Sequence, residues 1–355
     1  MLSVLEYFPE DLLAKKAHEL DGFLAGPTLI HLSGVETSPL FVSVLLHGNE
    51  TTGWEAVKLY LLEFQQNNEP LPRAMSLFIA NISAAKEHKR VLPGQLDYNR
   101  IWLAHPSQEG RMMSEIFQQM KEKQVFASID FHNNTGRNPH YACINRKEHD
   151  FFQLAHLFSR TVVYFIKPDT VQSMAFSKLC PAVTVECGQP GQKHAVEHAK
   201  NYLQKIMALG HFTNQPLHAK DFDLYHTMAI VKVPEQFSIS FEPLSEKTMP
   251  MKEVSQADIH FDSDVDRLNF TAMENGTRMA KIDPDKAVYL QAINEQGVDV
   301  AQRYFDYSNG EIRTRLAMMP SMLTTKEEII RQDCLCYLME RIVLEEKSKV
   351  YTHDL

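Results

Sequence analysis

The stretch His47-Gly48-Asn49-Glu50 contains two residues that can bind one metal ion. The imidazole and the carboxylate stand three residues apart, where the apolar run 41–46 gives way to a segment with the composition of a helix. Zinc accepts nitrogen and oxygen ligands together, and a catalytic zinc needs three protein ligands with a fourth position open to water. A His-x-x-Glu pair is common by chance, so a zinc site also requires a third ligand and a group that moves protons.

His132 is the candidate for the third ligand. It ends the apolar run 125–131, a predicted strand, and the carboxyl ends of strands in an α/β sheet are where ligands gather. His47, Glu50 and His132 therefore form a candidate site for one Zn²⁺ per chain, with a position left for water. Asp130 points the same way along the strand, and we expect it to bond the other ring nitrogen of this ligand.

Glu186 is the candidate for the proton-moving group. It ends another apolar run, 182–186, which also has the composition of a buried strand. Zinc brings the pKa of a bound water near neutrality, so a neighbouring carboxylate can complete the deprotonation. We therefore predict that Glu186 is the general acid/base, which takes a proton from water and later donates it to a leaving amine.

Arg90 and the pair Asn99-Arg100 are candidates for charge recognition. An arginine beside the metal can stabilise the oxyanion of a tetrahedral intermediate. A second arginine, together with an asparagine, can clamp a substrate carboxylate in a fork geometry. Taken alone, two arginines in a loop are usually solvated charges, so this prediction depends on the metal site.

Strand-like and helix-like segments alternate over roughly the first two hundred residues. The strand candidates are 28–32, 41–46, 76–81, 125–131, 161–167 and 182–186. The helix candidates are 52–66, which begins with a possible capping box of Thr52 and Glu55, 108–124, 150–159 and 193–208. This alternation predicts an α/β fold in which helices flank a mixed, largely buried sheet.

The pattern changes near residue 214. Short strand-like runs separated by turn signals follow, at 225–233, 237–241, 257–261, 277–282 and 287–293. They predict a smaller β-rich C-terminal domain, after which 325–345 has apolar residues at roughly helical spacing. We therefore expect a catalytic domain over 1–213, a β-rich domain over 214–317 and a helical tail over 318–355.

Composition argues against several functional classes. The 355 residues carry a net charge of −9 with scattered Lys and Arg, which argues against a nucleic-acid partner. The first twenty or so residues lack the basic start and apolar stretch of a signal peptide, and no window suits a membrane helix. The five cysteines form no Cys-x-x-Cys pair. We expect a cytoplasmic protein with reduced thiols and no membrane partner, its oligomeric state left open, a homo-oligomer included.

Four sequence blocks in this order resemble the succinylglutamate desuccinylase/aspartoacylase family, a branch of the zinc carboxypeptidase-like superfamily. The blocks are His47-Gly48-Asn49-Glu50-Thr51-Thr52-Gly53, Asp97-Tyr98-Asn99-Arg100, Asp130-Phe131-His132-Asn133 and Val185-Glu186-Cys187-Gly188. The resemblance implies a zinc-carboxypeptidase-like fold, zinc bound by His47, Glu50 and His132, and Glu186 as general acid/base. It also implies that Asn99 and Arg100 contact a substrate carboxylate. Arg90 would polarise the scissile carbonyl, although the gap from Arg90 to Arg100 is longer than usual in the family.

The resemblance extends over roughly residues 40–295. The segments 257–260 and 293–295, with the turn at Gly276, resemble the family's C-terminal β domain. In the family this domain folds over the mouth of the active site and restricts it to small substrates. The resemblance therefore implies that Glu295 lies near the pocket and contributes to substrate binding.

Two positions depart from aspartoacylase itself. Phe176 stands near the place of the arginine that holds the substrate's side-chain carboxylate there, and Val298 replaces a tyrosine. The acyl-aspartate pocket is therefore not reproduced, and the identity of the substrate stays open. Lys178 and Arg137 are alternative anion anchors, for each of which a surface role is at least as good an interpretation.

Three functional hypotheses follow from the sequence. The leading one is a zinc-dependent amidohydrolase that removes the acyl group from a small, carboxylate-bearing N-acyl amino acid. A metallocarboxypeptidase that releases a C-terminal residue from a peptide uses the same chemistry, and an open groove rather than a closed pocket would favour it. The third hypothesis is a metal-free, catalytically silent binding protein, against which the complete ligand set argues.

Overall fold

The chain divides into two units, each with its own hydrophobic core. The computed structural model describes residues 2–215, 217–242 and 257–343. Among these residues, unit 1 comprises 2–134, 140–224 and 342–343, and unit 2 comprises 135–139 and 225–341. The residues singled out as metal ligands and as general acid/base belong to unit 1.

Strands and helices alternate along unit 1. In chain order they are β1 (Ser3–Leu5), β2 (Thr28–Leu32), β3 (Gly34–Val44), α1 (Thr52–Asn67), β4 (Leu71–Ile79), α2 (Ile82–Lys86), α3 (Gln108–Glu122), β5 (Ala127–His132), β6 (Tyr141–Ile144), α4 (His149–His156), β7 (Thr161–Tyr164), α5 (Gln172–Phe176), β8 (Ala182–Glu186) and α6 (Lys193–Met207). A 3₁₀ turn over Tyr98–Arg100 lies between α2 and α3. Across the described ranges of both units, no helix is long and apolar enough to cross a membrane.

The strands of unit 1 form a mixed sheet in the order β1-β2-β4-β3-β5-β8-β6-β7. The central strands β4, β3, β5 and β8 run parallel to one another, whereas β2 pairs antiparallel with β4 and β6 pairs antiparallel with β8. Every residue of β5 and β8 is buried, as expected for central strands covered on both faces. The predicted mixed α/β sheet with flanking helices is confirmed.

The registers of the central strands bring the polar residues to one edge. Ser43 of β3 lies opposite Asp130 of β5, and His132 at the end of β5 lies opposite Glu186 at the end of β8. Because β3, β5 and β8 are parallel, their carboxyl ends meet at the same edge of the sheet. Residues that are far apart in the sequence are therefore neighbours there.

Helix α1 packs closely on β5 at its first turn. A Cβ atom on Gly53 would lie 2.4 Å from the Cβ atom of Phe131, so only glycine permits this approach. The predicted capping box is wrong, because the N-cap residue is Thr51 and makes no side-chain capping bond. The side chain of Asn133 bonds to the start of the helix instead. Oδ1 of Asn133 accepts from the Thr52 N–H at 3.1 Å, and Nδ2 of Asn133 donates to Thr52 Oγ1 at 2.9 Å. The helix start is thus fixed to the end of β5.

Short strands dominate unit 2. They are β9 (Asp223–Lys232, whose first two residues belong to unit 1), β10 (Ile239–Ser240), β11 (Ile259–Phe261), β12 (Arg278–Ile282), β13 (Gln291–Asn294), β14 (Phe305–Asp306), β15 (Glu311–Thr314), β16 (Met319–Ser321) and β17 (Cys336–Arg341), with α7 (Ala301–Tyr304) and α8 (Glu327–Gln332). One sheet has the order β10-β11-β12-β15-β14. Elsewhere β9 pairs with β13 and β17, and β17 pairs with β16. The predicted β-rich C-terminal part is confirmed.

The predicted helical tail is wrong. Where the sequence suggests one helix over 325–345, the structure has the six-residue helix α8 followed by the strand β17. Strand β17 pairs antiparallel with β9 along its whole length and with β16. These tertiary backbone pairings override the local helical spacing of the apolar residues. The segment 318–341 is therefore part of unit 2, and residues 344–355 of the predicted tail lie outside the described residues.

Candidate metal centre

A strained turn leads from β3 to the first two candidate ligands. Leu45, fully buried, has φ +58°, a left-handed conformation that costs a bulky residue about 1–3 kcal/mol. The carbonyl groups of Val44 and Leu45 both accept backbone hydrogen bonds. The Ala80 N–H donates to the Val44 carbonyl at 3.1 Å, and the Asn81 N–H donates to the Leu45 carbonyl at 2.8 Å. The neighbouring chain after β4 therefore keeps the turn in this conformation.

Gly48 lets the ligand loop lie against α2. A Cβ atom at this position would stand 2.2 Å from the backbone nitrogen of Ala85, closer than any side chain allows. The Gly48 N–H donates to the carbonyl of Arg90 at 3.0 Å, which ties the loop to the segment after α2. The same packing thus positions both the ligand loop and Arg90.

The three candidate ligands converge. Nδ1 of His47 lies 2.9 Å from Oε1 of Glu50, and Nδ1 of His132 lies 2.7 Å from Oε2 of the same carboxylate. One ligand atom from each residue lies within 4.8 Å of the others, and all three side chains are buried. A zinc ion about 2.0–2.2 Å from each atom fits such a group, which offers two nitrogens and a carboxylate. The residues present therefore suit a zinc ion.

Each candidate histidine ligand is held at its second nitrogen by a carboxylate. Nε2 of His47 lies 3.1 Å from Oδ1 of Asp97, and Nε2 of His132 lies 2.8 Å from Oδ2 of Asp130. A proton on each Nε2, donated to these carboxylates, leaves both Nδ1 atoms as acceptors for a metal. The predicted contact between Asp130 and the histidine is present, and Asp97 makes the equivalent contact with the other ring.

The carboxylate of Asp130 accepts three hydrogen bonds at the bottom of the site. Besides His132, the hydroxyl of Ser43 donates to Oδ1 at 2.7 Å and the side-chain amide of Asn99 donates to Oδ2 at 3.2 Å. Asp130 and Ser43 are both fully buried. The orientation of His132 is therefore fixed by a chain of buried polar groups that reaches back to β3.

Glu50 is itself fixed from two further sides. The backbone N–H of Asn133 donates to Oε2 at 3.0 Å, and Nη1 of Arg90 lies 3.5 Å from Oε1. Arg90 also donates from Nη2 to Oδ2 of Asp97 at 3.2 Å. Its buried guanidinium therefore bridges a candidate metal ligand and the carboxylate that orients another.

The charges in the site stabilise one another. Burial raises the pKa of Glu50, but His47 and His132 outweigh it and hold the pKa well below the usual range. Burial lowers the pKa of His132, but Asp130 and then Glu50 reverse this and hold the pKa well above its ordinary value. Burial likewise opposes ionisation of Asp97, whose pKa is nevertheless lowered, chiefly by His47 and then by Arg90. Glu50 and Asp97 thus stay ionised despite burial.

Glu186 differs from the other carboxylates of the site. It is buried at the end of β8, and Nδ2 of Asn134 approaches its Oε2 at 3.4 Å. Burial raises the pKa of Glu186 to about 7, with a further contribution from Glu50 and partial opposition from His132. A carboxyl group with a pKa near neutrality can both accept and release a proton at physiological pH.

A family comparison supplies the wider context of this geometry. Residues 37–209 match the family model described as the succinylglutamate desuccinylase/aspartoacylase catalytic domain. Residues 37–209 are thus similar to the catalytic domain of this family. The matched segment includes the candidate metal ligands, Glu186, Arg90 and the pair Asn99-Arg100. The resemblance inferred from the sequence blocks is confirmed.

Solved structures share the fold of this chain. The succinylglutamate desuccinylase of Chromobacterium violaceum has a TM-score of 0.57 at 17% identity, over 89% of each chain. The corresponding protein of Vibrio parahaemolyticus has a TM-score of 0.54 at 13% identity, over 86% of this chain and 82% of its own. Murine aminoacylase 3 has a TM-score of 0.51 at 15% identity, over 87% of this chain and 97% of its own. A search of curated protein sequences finds no significant match.

The structure shows the surroundings of Phe176, which stands near the place of the substrate-binding arginine of aspartoacylase. Phe176 is fully buried and stacks on Phe41, with ring centroids 4.4 Å apart. It belongs to an aromatic core cluster with Trp102 and Phe117. A charged side chain at this position would be buried in apolar surroundings, so α5 does not present an anion anchor here. Lys178, two residues later, is exposed.

The remaining predicted residues lie in unit 2. Glu295 accepts from Nε2 of His226 at 2.7 Å, so its carboxylate has a partner within unit 2. Val298 is 54% exposed, and Arg137 lies 3.6 Å from Asp266. The role of Glu295 in substrate binding stays a prediction.

The sequence pattern predicts no role for Asp97. Its side chain accepts from the Asn99 N–H at 2.7 Å and so caps the short 3₁₀ turn Tyr98–Arg100. The capping role could be predicted, because an Asp two residues before the N–H that it accepts from is a common local signal. The contact of Asp97 with His47 could not be predicted, because the two residues are fifty positions apart in the sequence. Only the tertiary structure reveals that the capping residue also orients a ligand.

Proposed function

We propose that this protein is a zinc-dependent deacylase that hydrolyses the amide bond of a small N-acyl amino acid. The observation that carries the proposal is the pair of histidines whose Nδ1 atoms both face Glu50 and whose Nε2 atoms both rest on carboxylates. Similarity to the catalytic domain of the desuccinylase/aspartoacylase family supports amide hydrolysis as the reaction class.

His47, Glu50 and His132 would hold the zinc ion. When bound, zinc supplies a Lewis acid that polarises the scissile carbonyl and lowers the pKa of water. Asp97 and Asp130 would accept the Nε2 protons of the two histidines, which would leave each Nδ1 lone pair available to the ion.

Glu186 would move the proton in both halves of the reaction. Its carboxylate takes a proton from the attacking water as the oxygen–carbon bond forms. It then gives this proton to the amide nitrogen as the carbon–nitrogen bond breaks, which releases an amine and a carboxylic acid, and the acid loses its remaining proton to solvent. The pKa of about 7 suits both steps, because neither protonation state of Glu186 is strongly disfavoured near neutral pH.

Arg90 and Arg100 would stabilise negative charge on the substrate. Arg90 lies against Glu50 and Asp97, so its guanidinium is held at the edge of the ligand set, where the carbonyl oxygen would acquire charge. Arg100 follows in the turn that carries Asp97 and would pair with the substrate carboxylate. Glu295 is a further proposed contact with the substrate.

The Glu186→Gln variant tests the mechanism. The amide keeps the shape of the side chain but cannot accept a proton, so kcat should fall by about 10²–10⁴-fold while zinc content stays at one ion per chain. Glu197→Gln, an exposed position on α6, is the matched control and should leave kcat unchanged. A near-normal rate in Glu186→Gln would show that another group moves the proton.

A substrate panel tests the reaction class. We expect hydrolysis of one or more N-acyl amino acids, with metal content measured in parallel. Cleavage of C-terminal residues from short peptides, without hydrolysis of N-acyl amino acids, would favour a metallocarboxypeptidase. Protein purified without added zinc that contains no metal, and whose properties do not change in His47→Ala, would favour a silent binding protein.

A further inference from the structure

A cavity opens in unit 1 at the amino ends of β3 and β4. Its volume is about 590 Å³, within the range of about 300–1,000 Å³ that is typical of small-molecule sites. Ser33 and Leu71, which line it, stand at the starts of these two strands, whereas His47 follows the carboxyl end of β3. Strand β3 has 11 residues, so roughly 35 Å of strand separate the cavity from the candidate metal ligands. The cavity is therefore distinct from the candidate metal centre.

The floor of the cavity is apolar. It is formed by the 3₁₀ helix Glu10–Ala14, by α1 and by the facing ends of β2 and β4. The buried residues of this floor belong to the core of unit 1, and the partly buried ones pack against that core. The apolar side chains concerned are Phe8, Leu13, Leu32, Leu61, Phe64 and Leu71. The floor therefore offers a preformed surface to the apolar body of a ligand.

The rim of the cavity carries negative charge only. The exposed residues Glu6, Glu10 and Glu69 line it, and none of its lining residues, all from the described part of the chain, is Lys, Arg or His. Within the described ranges, no ion pair neutralises any of these carboxylates. An apolar surface below exposed carboxylates is complementary to a molecule with one cationic end.

The end of α1 adds to this negative potential. Phe64, Gln65 and Asn68 line the cavity, and the last turn of the helix contains no basic residue. The carboxyl end of a helix carries a partial negative charge, which favours a nearby cation. Asn68 ends the helix with φ +53°, and the N–H of Glu69 donates to the carbonyl of Phe64 at 3.1 Å. This turn brings an acidic residue back to the helix end, where both charges act on the same ligand.

We propose that this cavity binds a small organic ammonium ion with an apolar body. The apolar body would rest on the floor, and the ammonium group would lie among Glu6, Glu10 and Glu69. Tyr7, which lines the cavity and is 63% exposed, presents an aromatic ring to the same cation. No residue of the candidate metal centre takes part, so the site is independent of the proposed function.

Three probes with the same six-carbon chain test the charge preference. Hexylammonium, 1-hexanol and hexanoate are titrated into the ¹⁵N-labelled full-length protein, and backbone amide resonances report where each binds. We expect hexylammonium to saturate one site per chain, to shift the resonances of the lining residues and to bind at least about tenfold more tightly than 1-hexanol. Hexanoate should not bind there. Added salt should weaken the binding of hexylammonium and not that of 1-hexanol.

A triple variant isolates the contribution of the rim. Replacement of Glu6, Glu10 and Glu69 by Gln keeps the shape of the rim but removes its charge. Hexylammonium should then bind at least about tenfold more weakly, whereas the affinity for 1-hexanol should change by less than about twofold. The matched control changes the net charge equally at exposed acidic residues outside the cavity, by the replacements Glu87→Gln, Glu197→Gln and Glu235→Gln. This control should bind hexylammonium as the wild type does.

A further variant tests the cavity itself. Ser33 is an exposed lining residue, so the indole of Ser33→Trp should occupy the cavity without a change in the core and should weaken the binding of both hexylammonium and 1-hexanol. An unchanged far-ultraviolet circular dichroism spectrum identifies the folded variants. The proposal is overturned if hexylammonium does not bind at the lining residues or binds no more tightly than 1-hexanol. It is also overturned if the rim variant and its matched control lose affinity equally.

Discussion

Two groups of histidines in unit 1 have opposite environments. In the candidate metal centre, His47 and His132 each rest on a carboxylate. In the second group, which we call the imidazole stack, His140 lies 4.6 Å from His198 and 5.8 Å from His194 between ring centroids. Within the stack, Nε2 of His198 donates to the carbonyl of Phe158 at 2.8 Å.

The pKa values of His132 and His140 diverge for this reason. Burial followed by the two neighbouring imidazoles lowers the pKa of His140 to about 4, so this ring stays neutral. His132 is more deeply buried, yet Asp130 and Glu50 hold its pKa well above the ordinary value. Across the described parts of the chain, only His47, Glu50 and His132 bring three possible ligand atoms together. The carboxylate partner, rather than burial, distinguishes a ligand histidine from a packed one.

The largest effect is expected from removing the carboxylate under His132. Asp130→Ala deprives Ser43, Asn99 and His132 of their shared acceptor, so zinc binding should weaken by up to about 100-fold. The free energy of unfolding of the metal-free protein should also fall by about 2–4 kcal/mol, because three buried donors are left unpaired. The pKa of His132, followed by NMR, should drop toward that of His140. An unchanged zinc affinity would show that the carboxylate partner does not distinguish the candidate metal centre from the imidazole stack.

A smaller effect is expected at the other ligand. The side chain of Asp97 is 20% exposed, whereas that of Asp130 is fully buried, so water can partly replace it beside His47. Asp97→Ala should therefore weaken zinc binding by about tenfold, the lower end of the usual range for such contacts. Chelator competition on the two alanine variants in parallel provides the comparison. A larger loss for Asp97→Ala than for Asp130→Ala would reverse the order of importance.

Ser43→Ala tests how far the support of His132 extends. The hydroxyl is fully buried and donates to Oδ1 of Asp130 at 2.7 Å, so its loss leaves that oxygen without this donor. We expect a loss of about 1–2 kcal/mol in the free energy of unfolding, measured by urea denaturation. Ser83→Ala, a half-buried position after β4, is a control for the loss of a hydroxyl. Equal losses in both variants would argue against special support from Ser43.

The smallest effect is expected in the imidazole stack and only at acid pH. Because the folded-state pKa of His140 lies below its ordinary value, the unfolded chain binds a proton there first as the pH falls. Stability should therefore be lost between pH 6.5 and about 4, by no more than about 1 kcal/mol after allowance for solvent screening of a half-buried ring. His140→Gln should lose less stability than the wild type over this interval.

Urea denaturation at a series of pH values measures this difference. His211→Gln removes an exposed imidazole and should follow the wild-type profile. A His140→Gln profile that coincides with the wild type would mean that the stack does not resist protonation.

The sequence predicted much of the fold because local signals and tertiary structure agree in the central sheet. Strands β2 and β8 have the predicted bounds, since continuous apolar runs flanked by turn formers describe strands buried on both faces. Strand β6 was missed because four residues between His140 and Asn145 carry too little periodic signal. Strand β17 was mistaken for a helix because its pairing with β9 lies more than a hundred residues away.

The candidate site also combines features that have a local sequence signal with features that depend on tertiary contacts. Residue types and strand ends sufficed to predict that His47, Glu50 and His132 converge, because a metal constrains its ligands to a few chemistries. The bond from Asp97 to His47 and the bond from Asn99 to Asp130 depend on how a loop lies across the sheet edge. Side-chain orientation in a loop is not encoded in spacing, so these two contacts could not be predicted from the sequence.

The close packing of Gly48 on α2 means that the residues of the stretch His47-Gly48-Asn49-Glu50 are constrained for different reasons. His47 and Glu50 are constrained by chemistry, whereas Gly48 is constrained by the 2.2 Å gap that any Cβ atom would enter. In a library screened only for soluble expression, position 48 should stay glycine while positions 47 and 50 vary. In a library screened for turnover, all three should be retained. Neighbouring residues of one motif are thus constrained for two unrelated reasons, and only the pair of candidate metal ligands carries information about the reaction.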